Sequence, residues 1–302
     1  MLRNTMYDFI VIGGGTAGLS SAVYACRANK KTLVIERESF GGQIVDAPNV
    51  ENYPGIVNIS GAQFASDLFD QAEKAGASFK CETVTKIVTE GSCTTVVTDI
   101  GRYTAKAVII AAGCDHRRLG VTGEERLIGS GVSYCALCDG AFFKDKTIAV
   151  VGGGNAAFTD ALYLAGIAGL VYILHRRDVF RAEQALIDRA KELNSIRIIT
   201  DAVVEELIGD DELTGVTLNV KGEKQMLELD GLFVAIGQQP DNTIYAPVEL
   251  DEDGYIVTDE MCRTNIKGVY AAGDCRKKVV RQLTTAAADG AIAVSAAMKD
   301  IF

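Results

Sequence analysis

Tyr7-Asp8-Phe9-Ile10-Val11-Ile12-Gly13-Gly14-Gly15-Thr16-Ala17-Gly18 is the stretch whose reading decides the fold. The short apolar run suits a buried parallel strand, and the glycines follow it without a gap. Gly13 permits the tight turn, Gly15 lets a pyrophosphate approach the backbone, and Gly18 lets the next helix pack close to the strand. That helix is predicted over Leu19 to Asn29, with its N-terminus facing the anion. Thr32-Leu33-Val34-Ile35 supplies a second strand ending in Glu36, a carboxylate placed to accept hydrogen bonds from an adenosine ribose. A glycine triplet alone says little; strand, loop, helix, strand and acid within about 30 residues form a specific dinucleotide-binding unit.

Adding 139 to these numbers lands on a copy: Gly13, Gly14 and Gly15 become Gly152, Gly153 and Gly154, Ala22 becomes Ala161, and Tyr24 becomes Tyr163. Lys146 to Val151 is the strand, Ala157 replaces Gly18 as the small helix-packing residue, and Val171-Tyr172-Ile173-Leu174 is the next strand. The copy differs at its end. Where Glu36 stood, the chain reads His175-Arg176-Arg177-Asp178-Val179-Phe180-Arg181. An acid favours a free ribose 2′-hydroxyl, whereas a basic cluster favours a 2′-phosphate. The first unit therefore suits FAD or NAD and the second NADPH; the alternative is a solvated basic run.

Just before the second unit lies Ser133-Tyr134-Cys135-Ala136-Leu137-Cys138-Asp139-Gly140. Two cysteines at this spacing can close a small disulfide ring, and a neighbouring carboxyl matters because the thiolate is the reactive species. Asp139 is placed to manage that proton. Zinc is a rival, although the other cysteines (26, 81, 93, 114, 262 and 275) form no second close pair and His116 and His175 show no ligand spacing. Two inert buried thiols beside an ordinary helix-start acid are the other alternative.

With 302 residues, 48% hydrophobic and 23% charged, the chain exceeds one typical domain. A net charge of −10 disfavours nucleic acid and anionic lipid as partners. Only Met1 to Met6 precede the first strand, and no apolar run approaches a membrane span, so a cytoplasmic location is expected. Gly61 to Ala75 reads as an amphipathic helix and Ser78 to Ala105 as short alternating strands. Ala107 to Gly113 is another buried strand, with a domain crossing after it. Ile196 to Leu207, Leu213 to Val220 and Met226 to Leu229 read as strands, and Gln238 to Asn242 as the return crossing. Asp274, ending the strand Gly268 to Gly273, could hydrogen-bond a ribityl chain. Arg281 to Phe302 reads as an alanine-rich helix; if it packs on the first unit, the second domain is an insertion.

In the order Gly13 to Gly18, Gly41-Gly42-Gln43, Val50 to Gly55, Cys135 to Gly140, Gly152 to Asn155, His175 to Arg181, Ala271 to Asp274 and Arg281-Gln282, the chain resembles the low-molecular-weight bacterial thioredoxin reductases. The resemblance implies an α/β fold with two Rossmann-like domains of the three-layer ββα type, the NADPH domain (residues 118–242) inserted into the FAD domain (residues 1–117 and 243–302). It implies FAD contacts from Gly13, Gly15, Thr16, Ala17, Gly18, Glu36, Gly42, Gln43, Asn52, Asp274, Arg281 and Gln282. It implies NADPH contacts from Gly152, Gly154, Asn155, Ala156, His175, Arg176, Arg177 and Arg181, and no metal. Cys138 would face the flavin, Cys135 would attack the disulfide of thioredoxin or a thioredoxin-like protein, and Asp139 would donate and accept protons. A homodimer is implied, as is rotation of the inserted domain so that nicotinamide and dithiol take turns at the flavin. The chain departs from the family pattern at Thr159 and Asp160, where Glu-Glu is common, and at Ser130, where Arg or Lys is common. Two other readings stay open: an NADPH-flavin reductase serving ferredoxin, flavodoxin or another acceptor, and a non-enzymatic redox sensor.

Overall fold

A computed structural model describes residues 6–47 and 49–302. The residues ahead of Met6, on which the expected lack of a leader rests, lie outside it. The chain divides into two compact units, residues 1–115 with 239–302, and residues 116–238. The crossings expected at 117/118 and 242/243 compare with divisions at 115/116 and 238/239.

The first unit begins with β1 (Met6–Ile12), α1 (Thr16–Arg27), β2 (Thr32–Glu36), α2 (Gly61–Lys74), β3 (Ser78–Cys81), β4 (Val84–Glu90), β5 (Cys93–Thr98) and β6 (Arg102–Ile110), and β7 (Asp115–His116) leads out of it. The second holds α3 (Glu124–Leu127), β8 (Val132–Ser133), α4 (Ala136–Asp139), β9 (Thr147–Val151), α5 (Asn155–Leu164), β10 (Leu170–Leu174), α6 (Gln184–Glu192), β11 (Ile196–Ile199), β12 (Ala202–Ile208), β13 (Gly215–Val220), β14 (Glu223–Glu228) and β15 (Gly231–Val234). After β16 (Gln238–Gln239), β17 (Val269–Ala271) and α7 (Leu283–Asp300) complete the first unit.

In the first unit β3-β2-β1-β6 run parallel. The long β6 pairs antiparallel with β5 through its first half and parallel with β17 through its second. Strand alternation sends Phe9, Val11, Val34 and Ile109 toward α1 and α7, and Ile10, Ile12, Leu33 and Ile110 toward Val84, Ile87 and Val96 of the antiparallel β4-β5 layer. Each fully buried side chain of this size contributes roughly 1.5–3 kcal/mol. Helices, parallel sheet and antiparallel layer thus form three tiers.

The second unit repeats the plan. Its parallel sheet has the order β11-β10-β9-β15-β8, with a separate β12-β13-β14 meander. Ile148, Val150 and Ile173 pack with the α5 and α6 side, whereas Ala149, Leu174 and Leu232 pack with Val204, Val216 and Leu218 of the meander. The strand expected over Ile196 to Leu207 is two strands in two sheets. Asp201 between them has φ of 51°, a left-handed turn that aspartate tolerates better than most residues. Among the described residues no helix is long and apolar enough to cross a membrane.

Candidate active site

The first glycine turn is shaped by close approaches. Gly13 has φ of 102°, and a Cβ there would lie 2.2 Å from the Ala111 carbonyl oxygen; one on Gly18 would lie 1.9 Å from the Gly13 oxygen. At Gly15, by contrast, the nearest atom would be 3.8 Å away, so the turn is open there. Among the described residues no side chain caps the N-terminus of α1, which leaves the amides of Thr16, Ala17 and Gly18 available to an anion. Glu36, at the end of β2, accepts from the amides of Gly14 at 2.7 Å, Arg37 at 2.7 Å and Glu38 at 3.2 Å. Gly41 donates its amide to the Gly14 carbonyl at 2.8 Å, bringing Gly42 beside Gly15. Gln43 Nε2 donates to the Cys114 carbonyl at 2.7 Å, and Asn52 Nδ2 donates to Gln282 Oε1 at 3.2 Å.

Asp274 follows Gly273, whose Cα borders Ala17 so closely that a Cβ would come within 2.7 Å of the alanine methyl. The Asp274 Oδ1 is buried and has no hydrogen-bond partner among the described residues. Burial pushes its carboxyl up, Lys278 and Arg281 pull it down, and Asp289 pushes it up. Arg281 lies over the Tyr255 ring at 4.0 Å and directs Nε to the Asp274 carbonyl at 3.4 Å. An orphaned buried acceptor costs about 1–3 kcal/mol, which a ligand hydroxyl would relieve. Open turn, ribose-side carboxylate and orphaned acceptor fit a dinucleotide carrying a hydroxylated chain, as FAD does.

Sequence reading missed Asp289, which holds this loop. Buried on α7, it accepts from the Gly273 amide at 3.0 Å, Arg276 Nη1 at 3.0 Å and Lys278 Nζ at 2.8 Å. Its signal was present: Ala286, Asp289, Ala293 and Ala297 share the apolar helical face, where a lone carboxylate needs partners.

The second turn repeats the geometry with different chemistry. A Cβ on Gly152 would lie 2.5 Å from the Ala235 oxygen, whereas one on Gly154 would meet nothing within 4 Å. Among the described residues no side chain caps α5; Ala156 is exposed in its first turn, and Asn155 exchanges hydrogen bonds of 2.8 and 3.0 Å with Glu183. The His175 ring covers Gly153 and lies 3.2 Å from the Val179 carbonyl through Nε2. Burial lowers its basicity, as do Arg176, Arg177 and Arg181, against a raising contact with Val179. The Arg181 amide donates to the Gly153 carbonyl at 2.8 Å, tying the basic loop to the turn. Arg176, Arg177 and Arg181 are exposed, and none forms an ion pair among the described residues. Three unpaired guanidinium groups beside a ribose position fit a 2′-phosphate.

Cys135 and Cys138 are joined as a disulfide across the start of α4. Cys135 is half-buried and Cys138 exposed. The Cys138 amide approaches Cys135 Sγ at 3.1 Å. Asp139 is half-buried, and its Oδ2 accepts from Ser133 Oγ at 2.6 Å. Burial pushes its carboxyl up, and the Ser133 hydrogen bond pulls it back. Ser133 and Glu124 also escaped the sequence reading. Buried Glu124 accepts from Tyr134 Oη at 2.8 Å and from the Leu119 and Gly120 amides at 2.8 and 2.7 Å, anchoring the chain before Cys135. The His116 ring stacks on Tyr134, with the ring centroids 5.1 Å apart. Among the described residues no group of three or more His, Cys, Asp or Glu is placed to hold a metal.

A family profile described as pyridine nucleotide-disulphide oxidoreductase matches residues 7–290. The chain is 43% identical over 298 residues to a thioredoxin reductase of Listeria monocytogenes, covering 97% of this chain and 93% of that one. To a thioredoxin reductase of Treponema pallidum it is 44% identical, covering 97% and 96%. The crystal structure of thioredoxin reductase from Streptococcus pyogenes superimposes with a TM-score of 0.95 at 42% identity, covering 98% of each chain.

Proposed function

The chain belongs to the pyridine nucleotide-disulphide oxidoreductase family, and from that membership we propose that it is an NADPH-dependent FAD enzyme reducing the disulfide of thioredoxin or a thioredoxin-like protein. The observation that carries this reading is the Cys135–Cys138 disulfide with a buried-side carboxyl, Asp139, on the same short helix. In this assignment Gly13, Gly15, Thr16, Ala17 and Gly18 hold the FAD pyrophosphate, and Glu36 holds its adenosine ribose. Gly42, Gln43, Asn52, Asp274, Arg281 and Gln282 hold the rest of that cofactor. Gly152, Gly154, Asn155 and Ala156 receive the NADPH pyrophosphate, His175 borders its ribose, and Arg176, Arg177 and Arg181 pair with the 2′-phosphate.

When bound, the two cofactors would supply a hydride, equivalent to two electrons and one proton; the second proton needed to turn the disulfide into two thiols enters through Asp139. Cys135, as thiolate, attacks one sulfur of the partner's disulfide and expels the other as a thiolate, which takes up a proton. Cys138 then attacks Cys135 in the mixed disulfide, releasing the reduced partner and re-forming the internal bond. By the same reading the protein works in the cytoplasm as a homodimer, and its charge of −10 favours a protein partner over nucleic acid.

Stopped-flow flavin reduction by NADPH and NADH, followed by turnover with oxidised thioredoxin, tests the proposal. Cys135→Ser and Cys138→Ser are expected to retain flavin reduction by NADPH and to lose thioredoxin reduction. Retained reduction of a protein acceptor by both variants would favour an acceptor without a disulfide instead.

A further inference from the structure

Asp139 depends on one hydroxyl. Its Oδ2 accepts from Ser133 Oγ at 2.6 Å, and among the described residues no other donor reaches the carboxylate. A serine oxygen has one proton to give and two lone pairs to offer. With the proton committed to Asp139, a lone pair accepts the Cys135 amide at 3.0 Å. One buried atom therefore fixes the carboxylate and the backbone of the first cysteine together. Ser133 is itself held by the sheet: it ends β8, pairs with Phe233 of β15, and is 5% exposed.

We propose that Ser133 is the positioning residue of the redox site, clamping one oxygen of Asp139 so that the other is presented for proton exchange with the Cys135–Cys138 pair. This rests on the disulfide-reductase reading above. The clamp also explains why a proton carrier can sit six residues from Ser133 on a helix of only four residues. So short a helix has little rigidity of its own, and the strand behind Ser133 supplies it. A charge-assisted hydrogen bond of this length is among the stronger protein contacts and favours the ionised carboxylate, opposing burial.

Burial outweighs that contact and pushes the Asp139 carboxyl up, and the Ser133 hydrogen bond is what opposes it. The 140–143 turn packed against α4 carries no ionisable side chain, and α5 brings Asp160 and Tyr163. Neither shifts Asp139, whose perturbation comes from burial and Ser133 alone. After reduction, the Cys135 and Cys138 thiols become the remaining titratable neighbours.

The test compares wild type, Ser133→Ala and Ser133→Thr as FAD-loaded enzymes across pH 5 to 9. Two readouts are used: thioredoxin turnover, and carbon-13 titration of the Asp139 carboxyl, assigned by its loss in Asp139→Asn. Ser133→Ala is expected to move the Asp139 midpoint, and the limb of the turnover profile it sets, upward by about one pH unit. Turnover at the optimum is expected to fall by roughly tenfold, and Ser133→Thr to restore both. A melting temperature lowered in Ser133→Ala with midpoint and profile unmoved would overturn the proposal, leaving Ser133 a structural residue. A wild type that reduces no thioredoxin while its Asp139 midpoint still responds to Ser133→Ala would sink the functional reading and leave the clamp standing.

Discussion

The two glycine turns begin alike and are finished differently. In α1 nine of twelve residues are buried, because α7 covers the side away from the sheet: Ser20 Oγ donates to the Ala287 carbonyl at 2.8 Å, and Ser21 turns its hydroxyl to the Ala17 carbonyl at 2.8 Å. In α5 only Ala157, Phe158, Ala161 and Leu164 are buried, with exposed Thr159 and half-buried Asp160 standing at the positions of Ser20 and Ser21. Each turn is also tied to a following loop by an amide-to-carbonyl bond of 2.8 Å, from Gly41 in one case and Arg181 in the other. The same tie joins a pair of glycines to the first turn and the backbone of the basic loop to the second. The lesson is that the shared backbone shapes both turns alike, while the following loop and the packing of each helix give each turn its own chemistry and exposure.

The largest test of this contrast removes the guanidinium groups. Arg176→Ala/Arg177→Ala/Arg181→Ala is expected to lower the preference for NADPH over NADH, measured as the ratio of kcat/KM values, by about 10²–10³-fold, with FAD content unchanged. A preference that survives would mean that the basic loop is merely solvated. Next comes the small residue after each turn. Gly18→Ala would drive a methyl into the Gly13 carbonyl at 1.9 Å and is expected to cost about 1–3 kcal/mol in urea unfolding. Ala157→Gly, the reverse change in the second turn, is expected to cost about 1.5–2 kcal/mol, from backbone entropy together with the loss of a fully buried methyl.

The smallest effect is electrostatic. Burial pushes the Asp160 carboxyl up to about 6, whereas its counterpart Ser21 has nothing to titrate. The folded protein therefore holds this proton more tightly than the unfolded chain. The associated stability is fully present below pH about 4 and is lost as pH rises through 6. Discounted for partial exposure, Asp160→Asn is expected to be more stable than wild type by about 1 kcal/mol at pH 8, with the gap closing toward pH 4. Melting curves at pH 5 and pH 8 check this; an equal difference at both would assign the effect to packing.

Most of the architecture was legible because its signals are local. Apolar runs such as Phe9 to Ile12 and Ile148 to Val150 abut their glycine turns, and Glu36 and His175 close their units within about 30 residues, as a βαβ unit requires. The break at Asp201 was not legible, since apolar residues flank it on both sides and only the left-handed turn separates two sheets. Nor was the Asp139 clamp, because a serine two residues before a cysteine has many ordinary uses in a loop.

By itself the sequence determined the two dinucleotide-binding units, the acid and basic ends that distinguish them, and the paired cysteines with their carboxyl. Only the tertiary structure decided which lone polar groups would serve these sites. Asp289 reaches the Gly273 amide because α7 packs on α1, and Ser133 reaches Asp139 because β8 joins the edge of a parallel sheet. A hydrogen bond needs its partners within about 3 Å, and residue spacing along the chain does not supply that condition; packing does.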